Sequence, residues 1–181
     1  QHAQYFYDLC DKAGMIVWAE IPYITAHMEG GRENTVSQMT ELVIQNYNHP
    51  SIICWGLSNE ITAGSGVTDE IIENHKILND LCHKLDETRP TTMAHAFMLD
   101  ANNPFVMASD IRSYNLYYGW YMGEKEQNDE WFDDFHAAHP QAVMGLSEYG
   151  ADANPAYQSG KPEKGDWTEN YQAVYHEHLL R

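Results

Sequence analysis

The stretch Asn48-His49-Pro50-Ser51-Ile52-Ile53-Cys54-Trp55-Gly56-Leu57-Ser58-Asn59-Glu60 decides the fold class. Asn48-His49-Pro50 ends a helix, because a residue before proline is pushed out of the α region. Ser51 to Leu57 is then a short, nearly continuous apolar run of strand length. That is the pattern of a strand buried on both faces. The run passes straight into three polar residues, Ser58, Asn59 and Glu60. The order helix, breaker, apolar run, polar end recurs along the chain.

Upstream, residues 2–13 read as a helix with Tyr5, Phe6, Leu9 and Cys10 on one face, stopped by Gly14. Met15 to Glu20 is a first apolar strand, broken at Pro22. Asn34 is placed to cap the next helix, with Val36, Met39, Val43 and Tyr47 at helical spacing. Downstream, residues 69–88 form a helix ended at Arg89-Pro90, and Thr91 to Phe97 is a strand. The linker 98–109 holds no full helix. Asp110 to Leu116 is a fourth strand. Asn128 caps a helix carrying Trp131, Phe132 and Phe135, and Ala142 to Ser147 is a fifth strand running into Glu148. A last helix turns Trp167, Tyr171, Val174 and Tyr175 inward.

Buried strands alternating with helices mean βα units and a parallel sheet. The 181 residues make one domain, 1–181. An open doubly wound sheet and an arc of a (β/α)8 barrel both fit. No GxGxxG or GxxxxGK[ST] follows a strand, so the nucleotide-binding versions lose support. Five strands cannot close an eight-stranded barrel, which usually needs about 250 residues. The expectation is therefore an incomplete barrel, a piece of a larger protein.

Composition narrows the function. With 43% hydrophobic residues the chain can build a core. Ten Lys and Arg against 27 Asp and Glu give a net charge of −17, which argues against nucleic acid and anionic lipid as partners. No apolar run is long enough for a membrane helix. Cys10, Cys54 and Cys82 form no CxxC pair and read as small buried residues. The ten histidines lack metal-ligand spacing, and no metal or cofactor is expected.

In a parallel barrel the chemistry sits at the carboxyl ends of the strands. Those ends carry Glu20, Asn59-Glu60, His95, the segment from Asn115 to Tyr121, and Glu148-Tyr149, with His27 in the loop after the first strand. Glu60 and Glu148 both follow apolar runs directly. Desolvation at such a place raises a carboxyl pKa, and two carboxyl groups across one pocket can hydrolyse a glycoside. Capping or ion pairing at strand ends fits the same positions.

Local sequence separates these. The stretch from Asn48 to Glu60 closely resembles the acid/base signature of glycoside hydrolase family 2, which includes β-galactosidases, β-glucuronidases and β-mannosidases. Leu146-Ser147-Glu148-Tyr149-Gly150-Ala151 looks like its nucleophile segment. Asn115-Leu116-Tyr117-Tyr118-Gly119-Trp120-Tyr121 looks like its tyrosine segment. All three occur in the family's order.

The resemblance implies the catalytic (β/α)8 TIM barrel of a glycoside hydrolase, present from about strand three to strand seven. It implies net retention, with Glu60 as acid/base and Glu148 as nucleophile about 5–5.5 Å apart. Asn59 would bond the sugar 2-hydroxyl and Tyr117 would hold the nucleophile ionised. Trp120 would stack on a sugar ring, with plain packing as the alternative. His27 and His95 would bind sugar hydroxyls or be satisfied by local contacts. Thr25, two before His27, replaces the glutamate of the magnesium-binding branch, so no required metal is implied. The loop from Ile21 to Asn34 and the stretch Glu148-Tyr149-Gly150-Ala151-Asp152 look more like a β-galactosidase. A β-glucuronidase, or a barrel piece that folds or binds sugar without turnover, are the alternatives. The partner implied is a small carbohydrate. Unpaired sheet edges leave self-association open. A bacterial cytoplasmic or periplasmic location would follow from the family, with the compartment itself unassigned.

Overall fold

The computed structural model describes all 181 residues. Five strands join one sheet in the sequential order β1 (Val17–Glu20), β2 (Ile52–Asn59), β3 (Thr91–Ala96), β4 (Ile111–Asn115) and β5 (Val143–Glu148). β1 pairs β2, and β2 pairs β3, in parallel. The helices α1 (Gln4–Ala13), α2 (Gly31–Asn46), α3 (Asp69–Leu85), α4 (Gln127–Ala138) and α5 (Glu169–Leu179) alternate with the strands. A 3-10 helix, Pro104–Ala108, interrupts the linker where no full helix was expected. Sequential order without crossover is the signature of barrel βα units, so the doubly wound alternative falls. No helix is long and apolar enough to cross a membrane.

The chain divides into two units. The first comprises Gln1–Tyr114 with Val143–Gly145, the second Asn115–Ala142 with Leu146–Arg181. In the first, β2 is the central buried strand: Ile52, Cys54, Trp55 and Leu57 are at most 2% exposed. α2 and α3 cover it with Met39, Leu42, Val43, Ile71, Leu78 and Cys82. One ionic node fixes the start of β2. Asp86 accepts from Trp55 Nε1 at 3.0 Å, from the Thr88 hydroxyl at 2.6 Å and from Arg89 at 2.7 Å. Arg89 also donates to the carbonyls of Ile52 and His49, at 2.7 and 3.0 Å. These bonds outweigh the burial of Asp86 and hold its carboxyl down at about 2. In the second unit Trp120, Ala151, Tyr171 and Tyr175 form a smaller aromatic core.

Several local readings are corrected. α1 buries Tyr7 and Cys10, while Tyr5, Phe6 and Leu9 are exposed, because the ring of Tyr7 packs on His49 at 5.3 Å and sets the helix's rotation. Met15 and Ile16 precede β1 and are exposed. α2 starts a turn before Asn34, at a left-handed Gly30 (φ 73°), and Asn34 instead accepts from Gln38 one turn on. Glu126, not Asn128, precedes α4; Asn128 is buried and donates to the carbonyls of Tyr118 and Lys125. β5 is half-exposed along its length, as the last strand in the sheet order lacks a neighbour on one side. Trp167 precedes α5 at φ 58° and is 47% exposed; Thr168 caps the helix by accepting from Tyr171 N at 3.0 Å.

Candidate active site

In the first unit the site residues gather where β2 ends. Asn59 N donates to the Tyr23 carbonyl at 3.0 Å, and Thr25 N donates to the Asn59 carbonyl at 3.2 Å. The next residue, Glu60, turns sharply with φ 45°, a conformation that non-glycine residues avoid. Two backbone bonds hold it there: Glu60 N to the Ala94 carbonyl at 2.8 Å, and Ala63 N to the Glu60 carbonyl at 2.9 Å. Thr25, at φ 66°, is a second strained residue, and its carbonyl accepts from Gly64 N at 2.8 Å. Strain of this kind persists only where its surroundings over-determine it, and it concentrates at functional sites. Glu60 is half-buried.

The end of β1 stands beside β2. Glu20 accepts from Trp18 Nε1 at 2.9 Å. Both lie against Gly56, where a Cβ would come within 2.3 Å of the indole nitrogen and 2.6 Å of Glu20 Cβ. Gly56 in the middle of the signature strand is therefore required by space.

His27 makes the local contacts that the sequence left as the alternative to sugar binding, and His95 is enclosed by aromatic rings. Both ring nitrogens of His27 are engaged: Nδ1 meets the Tyr23 hydroxyl, and Nε2 lies 3.1 Å from Glu70. His95 is 3% exposed, packed at 5.7 Å from Phe105 and 5.2 Å from Tyr114. Burial pushes its imidazole down to about 3, and Nε2 has no hydrogen-bond partner. A neutral histidine closed off from solvent suits a core position.

In the second unit Glu148 ends β5 and is exposed. The Tyr117 hydroxyl donates to Glu148 Oε2, as the tyrosine segment implied. Leu116 N donates to the Glu148 carbonyl at 2.9 Å, and Ser147 Oγ donates to Asn115 Oδ1 at 2.7 Å. These bonds lock the two segments in register. Next to them lies a cavity of about 250 Å³, whose walls include Tyr117, Trp120, Tyr121, Tyr149, Asp152 and His176. Its lining includes no Lys or Arg. Trp120 is 8% exposed, edge-on to Trp167 at 5.1 Å, so it is packed as well as lining the cavity.

A cluster of Asp8, Asp11 and His49 leaves no mark in the sequence, because the two carboxylates lie on α1 and His49 stands beyond α2. Asp11 accepts from Ser51 N at 2.9 Å and lies 2.6 Å from His49 Nδ1. The Ser51 bond first, then His49, hold its carboxyl down at about 2. This contact ties α1 to the start of β2. Also missed were Ser58 and His75, whose contact joins a strand to a helix and leaves no mark in spacing.

The chain is similar to known proteins along nearly its whole length. A curated β-glucuronidase of Bacteroides fragilis is 39% identical over 96% of the chain, which spans 26% of that protein. The solved structure of an FMN-binding β-glucuronidase from Faecalibacterium prausnitzii L2-6 is 46% identical with a TM-score of 0.94. The match covers 99% of this chain and 28% of that one. A putative β-galactosidase of Bacteroides fragilis is 32% identical with a TM-score of 0.89, again over 99% of this chain and 27% of the other. The chain thus spans about a quarter of the length of these proteins. Residues 2–180 match the sequence model for "Glycosyl hydrolases family 2, TIM barrel domain". With its sequential parallel strands and its signature at the end of β2, the chain belongs to that family and forms part of its barrel domain.

Proposed function

We propose that the chain carries the two catalytic carboxyl groups of a retaining β-glucuronidase. Glu60 is the general acid, protonating the leaving oxygen, and then the general base for water. Glu148 attacks the anomeric carbon and forms the glycosyl-enzyme intermediate. Asn59 bonds the sugar 2-hydroxyl, and Tyr117 orients Glu148. The observation that carries the chemistry is the Tyr117 hydroxyl donating to Glu148, a contact that fixes the direction in which the carboxyl group of a nucleophile would face.

The substrate reading departs from the loop-based expectation of a β-galactosidase. The likeness to β-glucuronidases at 39% and 46% identity supports the glucuronidase alternative. The cavity beside Glu148 offers tyrosine hydroxyls but no Lys or Arg, so a uronate carboxylate needs a cation from outside that lining. The test is hydrolysis of a 4-nitrophenyl β-glucuronide and the matching galactoside by the protein and its E60Q and E148Q variants. Preference for the glucuronide, lost in both variants, supports the proposal. Preference for the galactoside overturns the substrate, and undiminished turnover by E148Q overturns the mechanism. Glucuronide binding without turnover overturns the proposal.

A further inference from the structure

Behind the Asn59-Glu60 turn, on its helix side, lies a buried polar contact that the catalytic roles above do not use. His75, on α3, is fully buried. Its Nδ1 donates to the Ile71 carbonyl one turn back, at 2.8 Å. That fixes the tautomer and leaves Nε2 as an acceptor, and the Ser58 hydroxyl donates to it at 2.7 Å. Burial pushes the imidazole down to about 4, so the acceptor persists at neutral pH. The ring stacks on Tyr23 at 5.3 Å with 23° between planes, and meets Phe105 edge-on at 4.8 Å.

Tyr23 joins the same few atoms from the other side. Its carbonyl accepts from Asn59 N, its ring lies on His75, and its hydroxyl meets His27, which reaches Glu70. Asn59 is therefore held at its own amide by Tyr23, and through its neighbour Ser58 by His75. The strained Glu60 turn follows immediately.

We infer that His75 is a positioning residue, which through Ser58 and Tyr23 sets the direction in which Asn59 and Glu60 present their side chains. The inference rests on the reading of Glu60 as the acid/base. A small misplacement of an acid costs most where the leaving group needs a proton, and least where it leaves unaided.

The test compares β-glucuronides with a poor leaving group (an alkyl alcohol) and a good one (2,4-dinitrophenol), in wild type and in S58A, H75F, H75Q and E60A. S58A removes the donor and disturbs packing least. H75F keeps the ring but not the acceptor, and H75Q restores an acceptor. S58A and H75F are expected to lose about 10- to 100-fold in kcat/KM on the alkyl glucuronide and under 3-fold on the dinitrophenyl one, with H75Q recovering part of the loss. Equal losses on both substrates, or no loss in S58A, would overturn the inference. E60A separates the two layers. If E60A lacks the leaving-group dependence, the acid/base reading itself fails. If E60A shows it and S58A and H75F do not, only the role of His75 fails.

Discussion

Replacing His95 by Phe tests whether burial, rather than chemistry, explains that histidine. His95 and His75 are both buried and neutral, with imidazoles pushed to about 3 and about 4 from an ordinary 6.5. The unfolded chain takes up their protons near pH 6.5, whereas the folded chain resists until pH 4 or below. Stability from these groups is therefore complete above about pH 7 and falls as pH drops from 6.5 towards 4. At pH 5 each histidine alone lowers stability by about 2 kcal/mol, and the pair by about 4 kcal/mol. That is most of the margin of a domain holding about 5 kcal/mol. His95 has an unpartnered Nε2 and lies between Phe105 and Tyr114, so Phe is close in shape and leaves no polar atom behind. Urea melts of wild type and H95F, followed by circular dichroism from pH 8 to pH 5, isolate the term. Carboxylate contributions cancel between the two proteins. H95F should match or exceed wild type at pH 8 and gain about 2 kcal/mol on it by pH 5. Parallel stability curves for the two proteins would falsify the assignment of His95 as a buried, proton-resisting histidine.

Three further outcomes follow from the contacts described. Asp86→Ala strands Arg89 and the Trp55 indole N–H in the core, and should cost about 3–5 kcal/mol in a denaturant titration; a loss under 1 kcal/mol would show the node to be a surface-like pair. Gly56→Ala places a Cβ 2.3 Å from Trp18 Nε1 and should destabilise by about 1–3 kcal/mol, read as a lower Tm; an unchanged Tm would mean that the Trp18–Glu20 pair moves aside freely. Tyr117→Phe removes a hydroxyl bond to a carboxylate, and kcat should fall about 10- to 100-fold with the Tm little changed; an unchanged kcat would leave Tyr117 as packing only.

The elements were legible in the sequence because β2 and β3 are largely buried on both faces and bounded by Pro, which prints itself as apolar runs and breaks. β5 was readable as a strand but not as a half-exposed one, since exposure depends on what stands beside it. The rotation of α1 was misread because Tyr5, Phe6 and Tyr7 are adjacent aromatics, and only the contact of Tyr7 with His49 selects among them. Of the proposed site residues, Asn59, Glu60, Tyr117 and Glu148 each stand in a local motif. The unshared environments were not legible. His27 and His95 both stand at or past strand ends along the chain, but contacts from other elements, Glu70 at His27 and the enclosing rings at His95, set their surroundings. The Asp86–Arg89 node and the Ser58–His75 bond are tertiary contacts between unlike elements, with no periodicity to betray them.

The most direct test of the central claim is covalent trapping with 2-deoxy-2-fluoro-β-glucuronyl fluoride, followed by intact mass and peptide mapping. One fluoroglucuronyl group on Glu148, absent in E148Q, is the expected result. A label on another residue, or no label in a protein that turns over aryl β-glucuronides, would contradict Glu148 as the nucleophile.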